Sequence, residues 1–491
     1  MLLLGIDVGT SSIKVSVVDA ASRECIVSAS WPETESAIES PKPGWAEQSP
    51  AMWWEHVQKA ILKANSCRLY NPKDIAAIGI AYQMHGLVAV DKQQQVLRSS
   101  IIWCDSRAVE TGEKAFKEIG RKKSLSHLLN SPGNFTASKL AWVKEHEPAV
   151  YKKVDKIMLP GDYIAMKFTG EITTSISALS EGIFWDFKKN RLSKDVFEYY
   201  GFEEAVIPGI KPVFSGHGEL QSTIADELSL TTGIPVSYKA GDQPNNALSL
   251  NVLEPGEVAA TAGTSGVIYG VSDELTYDPQ SRVNTFAHVN YAEDHIRTGV
   301  LLCINGTGIL NSWVKKNIAT GADYDTMNGQ AAKIEAGSNG LSILPFGNGA
   351  ERMLENKTIG AHFNNLDLNL HTPAHIYRAV QEGIACAFRY GLDIMRENGM
   401  NPQVIRAGKS NMFLSPVFTE AFVNTTGVPV ELYSCDGSVG AALGAGIGSG
   451  YYKNPKEAFD QMKVLSTVEP SSERKYREIY ERWYEMLEKL L

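Results

Sequence analysis

The sequence has few cysteines and lacks any segment long and apolar enough to cross a membrane. Its six cysteines are scattered over 491 residues, and none forms a Cys-x-x-Cys pair. This pattern argues against a disulfide framework or a zinc site and favours reduced thiols in a cytoplasmic protein. A membrane-spanning helix needs about 20 consecutive apolar residues. The chain enters a strand-like segment at its start without a basic leader, so no secretory signal is predicted.

The chain also has fewer basic than acidic residues. The chain has 47 Lys and Arg residues against 56 Asp and Glu residues, a formal net charge of −9. This balance argues against a nucleic-acid-binding protein, which usually presents a basic face. Hydrophobic residues make up 43% and charged residues 21% of the chain, which is typical of a globular protein. A chain of this length exceeds what one core usually supports, so two domains are predicted.

The first segment of the chain combines an apolar strand with a carboxylate and a hydroxyl-rich turn. Residues 2–8 are almost entirely apolar, include Asp7, and lead into Gly-Thr-Ser-Ser and a second, β-branched strand at 13–18. The pattern predicts a β-hairpin whose tip exposes backbone N–H groups that can hold phosphate oxygens. Asp7 could face a metal ion that carries the phosphate, because hard divalent cations prefer oxygen ligands.

The same pattern recurs past the middle of the chain. Residues 258–262 lead into Gly263-Thr264-Ser265, and another β-branched strand follows. One Gly-Thr-Ser hairpin is a weak signal for phosphate binding. Its repetition indicates a duplicated architecture with phosphate held between two halves.

These hairpins resemble those of the FGGY carbohydrate kinases, and within that family the sequence is most similar to the xylulokinases over nearly its whole length. The resemblance implies an α/β fold with two actin-like (ribonuclease H-like) ATPase domains and a nucleotide and sugar cleft between them. The expected domains are 1–248, with sugar binding and the first phosphate hairpin, and 249–491, with ATP binding. The expected reaction is Mg²⁺- and ATP-dependent phosphorylation of D-xylulose to D-xylulose 5-phosphate.

By this resemblance, the ends of two strands carry sugar-binding residues. Met84 and His85 follow the strand at 75–81 and match the sugar-contacting pair of xylulokinases, where glycerol kinases have an Arg-Glu pair. Trp103 and Asp105 match a Trp-x-Asp-x-Arg pattern, in which Trp103 could stack on the sugar and Asp105 could accept from its hydroxyls. The alternative for Asp105 is a local ion pair with Arg107 that orders the loop.

A third strand end carries the expected base. Phosphoryl transfer needs a proton acceptor close to the attacking hydroxyl, and the resemblance assigns this catalytic role to Asp242. It assigns Asp7 to the Mg²⁺ and the phosphates. At the position of Gln243, xylulokinases usually have Asn, whereas glycerol kinases have Gln. Gln243 is therefore a candidate sugar contact that leaves the identity of the sugar open.

The resemblance also implies ATP contacts in three turns. The expected residues are Thr10, Ser11, Ser12 and Lys14 in the first hairpin, Gly263 and Thr264 in the second, and Gly408, Lys409 and Asn411 in a later turn. Lys409 replaces a glycine of the family pattern. Since lysine adopts positive φ only at a cost, either this position is not left-handed or the nucleotide pocket is altered.

Two alternatives to a xylulose kinase stay open. The first is a kinase for another sugar or polyol, such as ribulose, gluconate or glycerol; Met84 and His85 argue against glycerol, whereas Gln243 does not. The second is a non-catalytic sensor of the same fold, against which the retention of Asp7 and Asp242 argues. The expected partners are a sugar and ATP, with no nucleic acid and no membrane, and a homodimer is common among relatives.

Overall fold

Two mixed β-sheets, one in each half of the chain, organise the protein. The computed structural model describes residues 1–491, apart from the side chain of Glu473. The first half builds a five-stranded sheet and the second half a seven-stranded sheet, and short two-stranded sheets lie around them. No helix in the described part of the chain is long and apolar enough to cross a membrane.

The strands of the first half are β1 (Leu2–Val8), β2 (Ile13–Asp19), β3 (Cys25–Trp31), β4 (Glu47–Gln48), β5 (Ile75–Tyr82), β6 (Val88–Val90), β7 (Ser100–Ile101), β8 (Lys156–Met158), β9 (Thr173–Thr174), β10 (Trp185–Asp186), β11 (Arg191–Leu192), β12 (Gly209–Ile210) and β13 (Val236–Gly241). Its helices are α1 (Pro50–Ser66), α2 (Val109–Ile119), α3 (Arg121–Leu128), α4 (Thr136–His146), α5 (Pro148–Tyr151), α6 (Pro160–Thr169), α7 (Ile176–Glu181), α8 (Lys194–Tyr200), α9 (Ser222–Leu228) and α10 (Asp242–Ser249).

The strands of the second half are β14 (Val258–Ala262), β15 (Gly266–Ser272), β16 (Asn284–Ala287), β17 (Thr298–Ile304), β18 (Ser342–Phe346), β19 (Gly360–Asn364), β20 (Ile405–Gly408), β21 (Val430–Tyr433) and β22 (Val464–Val468). Its helices are α11 (Gly308–Asn317), α12 (Tyr324–Ala331), α13 (Pro373–Glu397), α14 (Pro416–Thr426), α15 (Gly437–Gly448), α16 (Pro455–Phe459) and α17 (Glu473–Glu488). Short 3₁₀ turns occur at Pro72–Asp74, Glu204–Val206, Ser338–Gly340, Arg352–Leu354 and Asn411–Leu414.

The two large sheets share one topology. In the first, β1 is antiparallel to β2 and parallel to β5, and β13 is parallel to β5. In the second, β14 is antiparallel to β15 and parallel to β20, and β21 is parallel to β20. Each sheet therefore contains a hairpin followed by two parallel strands, which confirms the duplicated architecture predicted from the two Gly-Thr-Ser turns.

The apolar composition of the central strands follows from their burial. In β1, every residue except Asp7 is buried, as expected for a strand covered on both faces. In β5, every residue except Ala76 is buried. Because β1, β5 and β13 run parallel, their carboxyl ends meet at one edge of the sheet, where ligands of α/β proteins usually bind.

Helix α15 lies in the second half of the sequence but packs on the first sheet. A side chain at Gly5 of β1 would clash with the carbonyl oxygen of Ser438, and one at Gly79 of β5 would clash with that of Ala441. Glycine in the strands and small residues in the helix thus let the two backbones approach closely. The division of the chain at 248/249 remains a prediction, since α10 spans this point and α15 returns to the first sheet.

Candidate active site

Two carboxylates lie at the same edge of the first sheet. Asp7 of β1 pairs with Ala81 of β5, and Gly241 at the end of β13 pairs with Tyr82, the next residue of β5. This register places Asp7 and Asp242, the residue after Gly241, on either side of β5. The structure therefore brings together the two residues that the sequence predicts for the metal and for the base.

The surroundings raise the pKa of both carboxyls. Burial raises the pKa of Asp242 to about 7, and the negative charge of Asp7 adds to the shift, while hydrogen bonds from Gln243 oppose it. Burial also raises the pKa of Asp7 to about 6; Asp436 adds to this shift and Lys14 opposes it. Two oxygen-bearing side chains that repel each other in this way form a suitable environment for a hard divalent cation.

His85 is held in an unusual backbone conformation beside these carboxylates. Its φ is 62°, in the left-handed region that non-glycine residues rarely adopt. Its N–H donates to Oε1 of Glu181 at 3.1 Å, and its carbonyl oxygen accepts from Nζ of Lys139 at 2.8 Å. Burial, followed by the charge of Lys139, lowers the pKa of His85 to about 3. The ring is therefore neutral and can donate or accept a hydrogen bond.

Aromatic rings from both halves of the chain surround His85. The ring of Phe135 packs edge-on against it with 4.8 Å between centroids, and Phe286 of β16 lies 5.4 Å away. Met84, with 5% of its surface exposed, belongs to the same apolar cluster. Met84 and His85 thus lie where the two halves meet, as expected for residues that line a cleft.

Trp103 and Asp105, the other predicted sugar contacts, have different environments. Trp103 is 52% exposed, and its Nε1 donates to Oγ1 of Thr10 at 2.9 Å, which links this loop to the first hairpin. The buried carboxylate of Asp105 accepts from the N–H of Ala46 at 2.6 Å and from Nη2 of Arg107 at 2.7 Å. The structure therefore favours the alternative in which Asp105 orders the loop through its ion pair.

A polar network that sequence analysis did not identify supports the first hairpin. Thr10 donates through Oγ1 to Oε1 of Gln83 at 3.1 Å, and Nε2 of Gln83 donates to Oε1 of Gln48 at 3.2 Å. Gln48 in turn donates through Nε2 to the carbonyl oxygen of Thr10 at 2.8 Å. Ser11 and Ser12 complete the tip of this hairpin, and Ser11 is exposed.

A cavity of about 370 Å³ opens beside the second hairpin. The predicted ATP contacts Gly263, Thr264 and Asn411 line it. The hairpin is joined to α11 here, because the N–H of Gly308 donates to the carbonyl oxygen of Gly263 at 3.0 Å. Polar residues of α11 and α12 that sequence analysis missed complete the wall: Asn311, Ser312, Tyr324, Asp325 and Asn328. None of these residues follows the end of a strand in a recognisable motif, so no local sequence pattern predicts that they line a cavity.

Comparison with known proteins identifies the family. The model of the N-terminal domain of the FGGY family of carbohydrate kinases matches residues 2–249, and that of the C-terminal domain matches residues 258–449. The chain belongs to the FGGY family of carbohydrate kinases. The predicted family, its actin-like α/β fold and its use of ATP with Mg²⁺ are thereby confirmed.

Relatives of this FGGY kinase include proteins with different sugars in their names. It is 28% identical to the xylulose kinase of Escherichia coli (strain K12) over 500 aligned residues, covering 99% of each chain. A solved xylulose kinase from Rhodospirillum rubrum has a TM-score of 0.88 at 25% identity and covers 100% of this chain and 99% of its own. A gluconate kinase from Lactobacillus acidophilus reaches a TM-score of 0.89 at 20% identity, with 100% and 98% covered. The fold alone therefore does not distinguish these sugars.

The lysine that departs from the FGGY pattern does not have a strained backbone. Lys409 is absent from the residues with positive φ, and the left-handed residue of this turn is Asn411, with φ 51°; asparagine tolerates this conformation. The N–H of Lys409 donates to the carbonyl oxygen of Tyr433 at 2.8 Å, continuing the pairing that Gly408 makes with Tyr433. Of the two alternatives for Lys409, the structure supports the one in which its position is not left-handed.

Lys14 of this FGGY kinase has a partner far along the chain. Its Nζ forms an ion pair with the carboxylate of Asp436, which caps α15 by accepting from the N–H of Ser438 at 2.9 Å. The side chain of Lys14 is 40% exposed. Lys14 therefore ties the first hairpin to α15, and its contact with ATP remains a prediction.

Proposed function

We propose that this FGGY kinase transfers the γ-phosphoryl group of ATP to the 5-hydroxyl of D-xylulose and forms D-xylulose 5-phosphate. The observation that carries this proposal is the likeness to the xylulose kinase of Escherichia coli, which extends over 99% of both chains. Met84 and His85, the pair on which the resemblance to xylulokinases rests, meet the second half of the chain at the cleft.

In this proposal Asp242 accepts the proton of the attacking hydroxyl. The proton is lost as the new bond to phosphorus forms. A positioned base whose pKa lies near the working pH therefore accelerates the step. Asp242 is suited to this role because burial and Asp7 raise its pKa to about 7. Gln243, the residue after the base, opposes this rise in the pKa of Asp242.

The remaining roles follow from the two hairpins and the walls of the cleft. When bound with ATP, Mg²⁺ neutralises phosphate charge, and Asp7 is the residue that would face it. The turns with Thr10 and Thr264 would hold phosphate oxygens through N–H and hydroxyl donors. Phe286 from the second half lies against His85 and Phe135 from the first. Such a contact would exclude water, which otherwise competes as acceptor.

A kinase for a different sugar is the second candidate. Gln243 supports this candidate, because it differs from the xylulokinase pattern. The fold is also compatible with it, since a gluconate kinase has an equally similar structure. Asp7 and Asp242 argue against the sensor alternative, and the unstrained backbone at Lys409 gives no reason to prefer it. A homodimer and a cytoplasmic location are also proposed, and light scattering on the purified protein tests the first.

The first experiment measures ADP release by the purified protein with ATP and Mg²⁺. D-xylulose, L-xylulose, D- and L-ribulose, gluconate and glycerol are compared at several concentrations. We expect D-xylulose to have the highest kcat/KM. A higher value for another sugar would contradict the substrate and leave the kinase assignment intact. Absence of sugar-dependent ADP release with all six would contradict the proposed reaction.

A further inference from the structure

A buried glutamate with one unused oxygen lies next to the proposed sugar site. Glu181 is the last residue of α7 and has no exposed surface. Its Oε1 accepts the hydrogen bond from the N–H of His85 at 3.1 Å. Its Oε2 is buried without a hydrogen-bond partner in the described part of the chain. Because a buried polar atom without a partner is costly, this oxygen points to a ligand group that completes it.

The unused oxygen faces the residues that frame the reaction. A Cβ atom at Gly241 would lie 2.8 Å from Oε2 of Glu181 and 2.7 Å from Cγ of Met84. Gly241 is followed directly by Asp242, the proposed base. The absence of a side chain at Gly241 thus leaves room for Oε2 between the apolar wall at Met84 and the start of α10.

The charge balance around Glu181 favours its neutral form. Burial raises the pKa of Glu181 well above its usual range; Asp242 and Asp162 add to the shift, while the N–H of His85 and the charge of Lys139 oppose it. A neutral carboxyl can donate as well as accept a hydrogen bond. Since Oε1 already accepts from His85, Oε2 is the oxygen free to interact with a polyhydroxylated ligand.

We propose that Glu181 contacts the sugar substrate directly through Oε2, hydrogen-bonds one of its oxygen atoms and thereby helps to select the sugar. This inference rests on the proposed sugar kinase activity and adds a specificity residue to it. The same side chain also holds the backbone of His85, so one carboxyl would connect two sugar contacts. Glu181 takes no part in proton removal, which is assigned to Asp242.

The test combines changes in the enzyme with changes in the substrate. Glu181→Met keeps a similar side-chain length but has no hydrogen-bonding oxygen, and Glu181→Gln keeps both an acceptor and a donor at this position. ADP release is measured with D-xylulose and with analogues that each lack one oxygen atom other than the reacting one. We expect Glu181→Met to raise KM for the sugar about tenfold, the loss of one hydrogen bond, with KM for ATP unchanged. Glu181→Gln should restore most of the affinity.

The analogues separate direct contact from positioning of His85. For one analogue, the wild-type enzyme should lose about tenfold in kcat/KM, and Glu181→Met should lose nothing further, because the contact is already gone. If each analogue lowers kcat/KM by the same factor in the wild-type enzyme and in Glu181→Met, then Glu181 acts only through His85 and the proposal is overturned. Glu382→Gln is the matched control: it is also a buried glutamate, but both of its oxygens are hydrogen-bonded in the second half. It should leave the sugar KM unchanged.

The wild-type enzyme tests the underlying function separately. If the wild-type enzyme turns over D-xylulose but no analogue distinguishes it from Glu181→Met, only the role of Glu181 is overturned. If another sugar is the better substrate, the choice of xylulose fails, and the same comparison with analogues of that sugar decides the role of Glu181. Absence of turnover with every sugar overturns both.

Discussion

At the scale of single residues, the proposed chemistry depends on how the surroundings of Asp242 change its pKa. An isolated aspartate is a weak base at neutral pH, since its carboxyl has a pKa of about 3.9. In the fold, burial and the nearby charge of Asp7 raise the pKa of Asp242 to about 7. This change makes the carboxylate a better proton acceptor, but the charged form is then disfavoured in the folded protein. The residue therefore improves catalysis at the expense of stability.

Two pH effects at Asp242 test this view. Because the base must be ionised, kcat/KM for the sugar should fall as the pH falls through about 7. Asp242→Asn should lose about 10²-fold or more in kcat. Because the folded pKa lies above the unfolded value, the protein loses stability as the pH rises from about 4 to about 7, and the full cost is present above pH 7. The variant should therefore be more stable than wild type by on the order of 2 kcal/mol at pH 8, and by less at pH 5.

These effects are measured by steady-state kinetics and by urea unfolding at both pH values. Asp226→Asn, which changes an exposed aspartate, serves as the control and should alter neither. Near-normal turnover by Asp242→Asn would rule out the role of Asp242 as base.

At the scale of secondary structure, the central contact is that of α15 with β1 and β5. The helix consists largely of glycine and alanine, and its backbone lies against Gly5 and Gly79. Interiors are close-packed, so an added methyl group must displace one of the two elements. The same elements carry Asp7 and, at the start of α15, Asp436, the ion-pair partner of Lys14. Packing and site geometry are thus coupled here.

The contact predicts a large effect of one methyl group. Gly79→Ala would place Cβ against the carbonyl of Ala441, and we expect a loss of about 3 kcal/mol in the free energy of unfolding. Urea unfolding measures this value. Gly216→Ala is the control, because a Cβ there has no atom within 4 Å. A loss below about 0.5 kcal/mol at Gly79 would show that α15 can move without cost.

At the scale of the whole molecule, hydrogen bonds join the two halves beside the cleft. Nδ2 of Asn130 donates to the carbonyl oxygen of Thr285 at 2.6 Å, and the N–H of Thr285 donates to Oδ1 of Asn130 at 3.0 Å. On the same strand, β16, the carbonyl oxygen of Ala287 accepts from Oγ of Ser177 at 2.8 Å, and the N–H of Ala287 donates to Oγ of Ser180 at 2.9 Å. These bonds position β16, and with it Phe286, against His85.

Loss of this connection should weaken sugar binding from a distance. Asn130→Ala leaves the N–H and carbonyl of Thr285 unpaired, which should cost about 1–3 kcal/mol of stability. Because β16 carries Phe286, KM for the sugar should also rise, while the pH profile set by Asp242 stays unchanged. Calorimetry and kinetics measure both effects, with Asn369→Ala, an exposed asparagine, as control. An unchanged KM would show that β16 holds its place without Asn130.

Local sequence patterns were enough to predict the two phosphate hairpins, and the resemblance that starts from them was enough to predict the family. The strand and turn at residues 2–12 and their repetition at 258–266 are local patterns, since alternation, length and glycine position act within a few residues. They were sufficient to predict a duplicated architecture with Asp7 at a strand end, and the resemblance to the FGGY kinases added the actin-like fold and Asp242 as the base. The structure brings these two together because parallel strands end at one edge of a sheet.

Contacts between residues far apart in the sequence could be found only in the folded protein. Lys14 and Asp436 are 422 positions apart, and Glu181 and His85 are 96 apart. The partners of Asp105, the left-handed Asn411 beside Lys409, and the polar wall from α11 and α12 likewise have no local pattern. The reason is physical: a strand or turn is set by neighbouring residues, whereas burial, pKa and hydrogen-bond partners depend on how elements far apart in sequence pack.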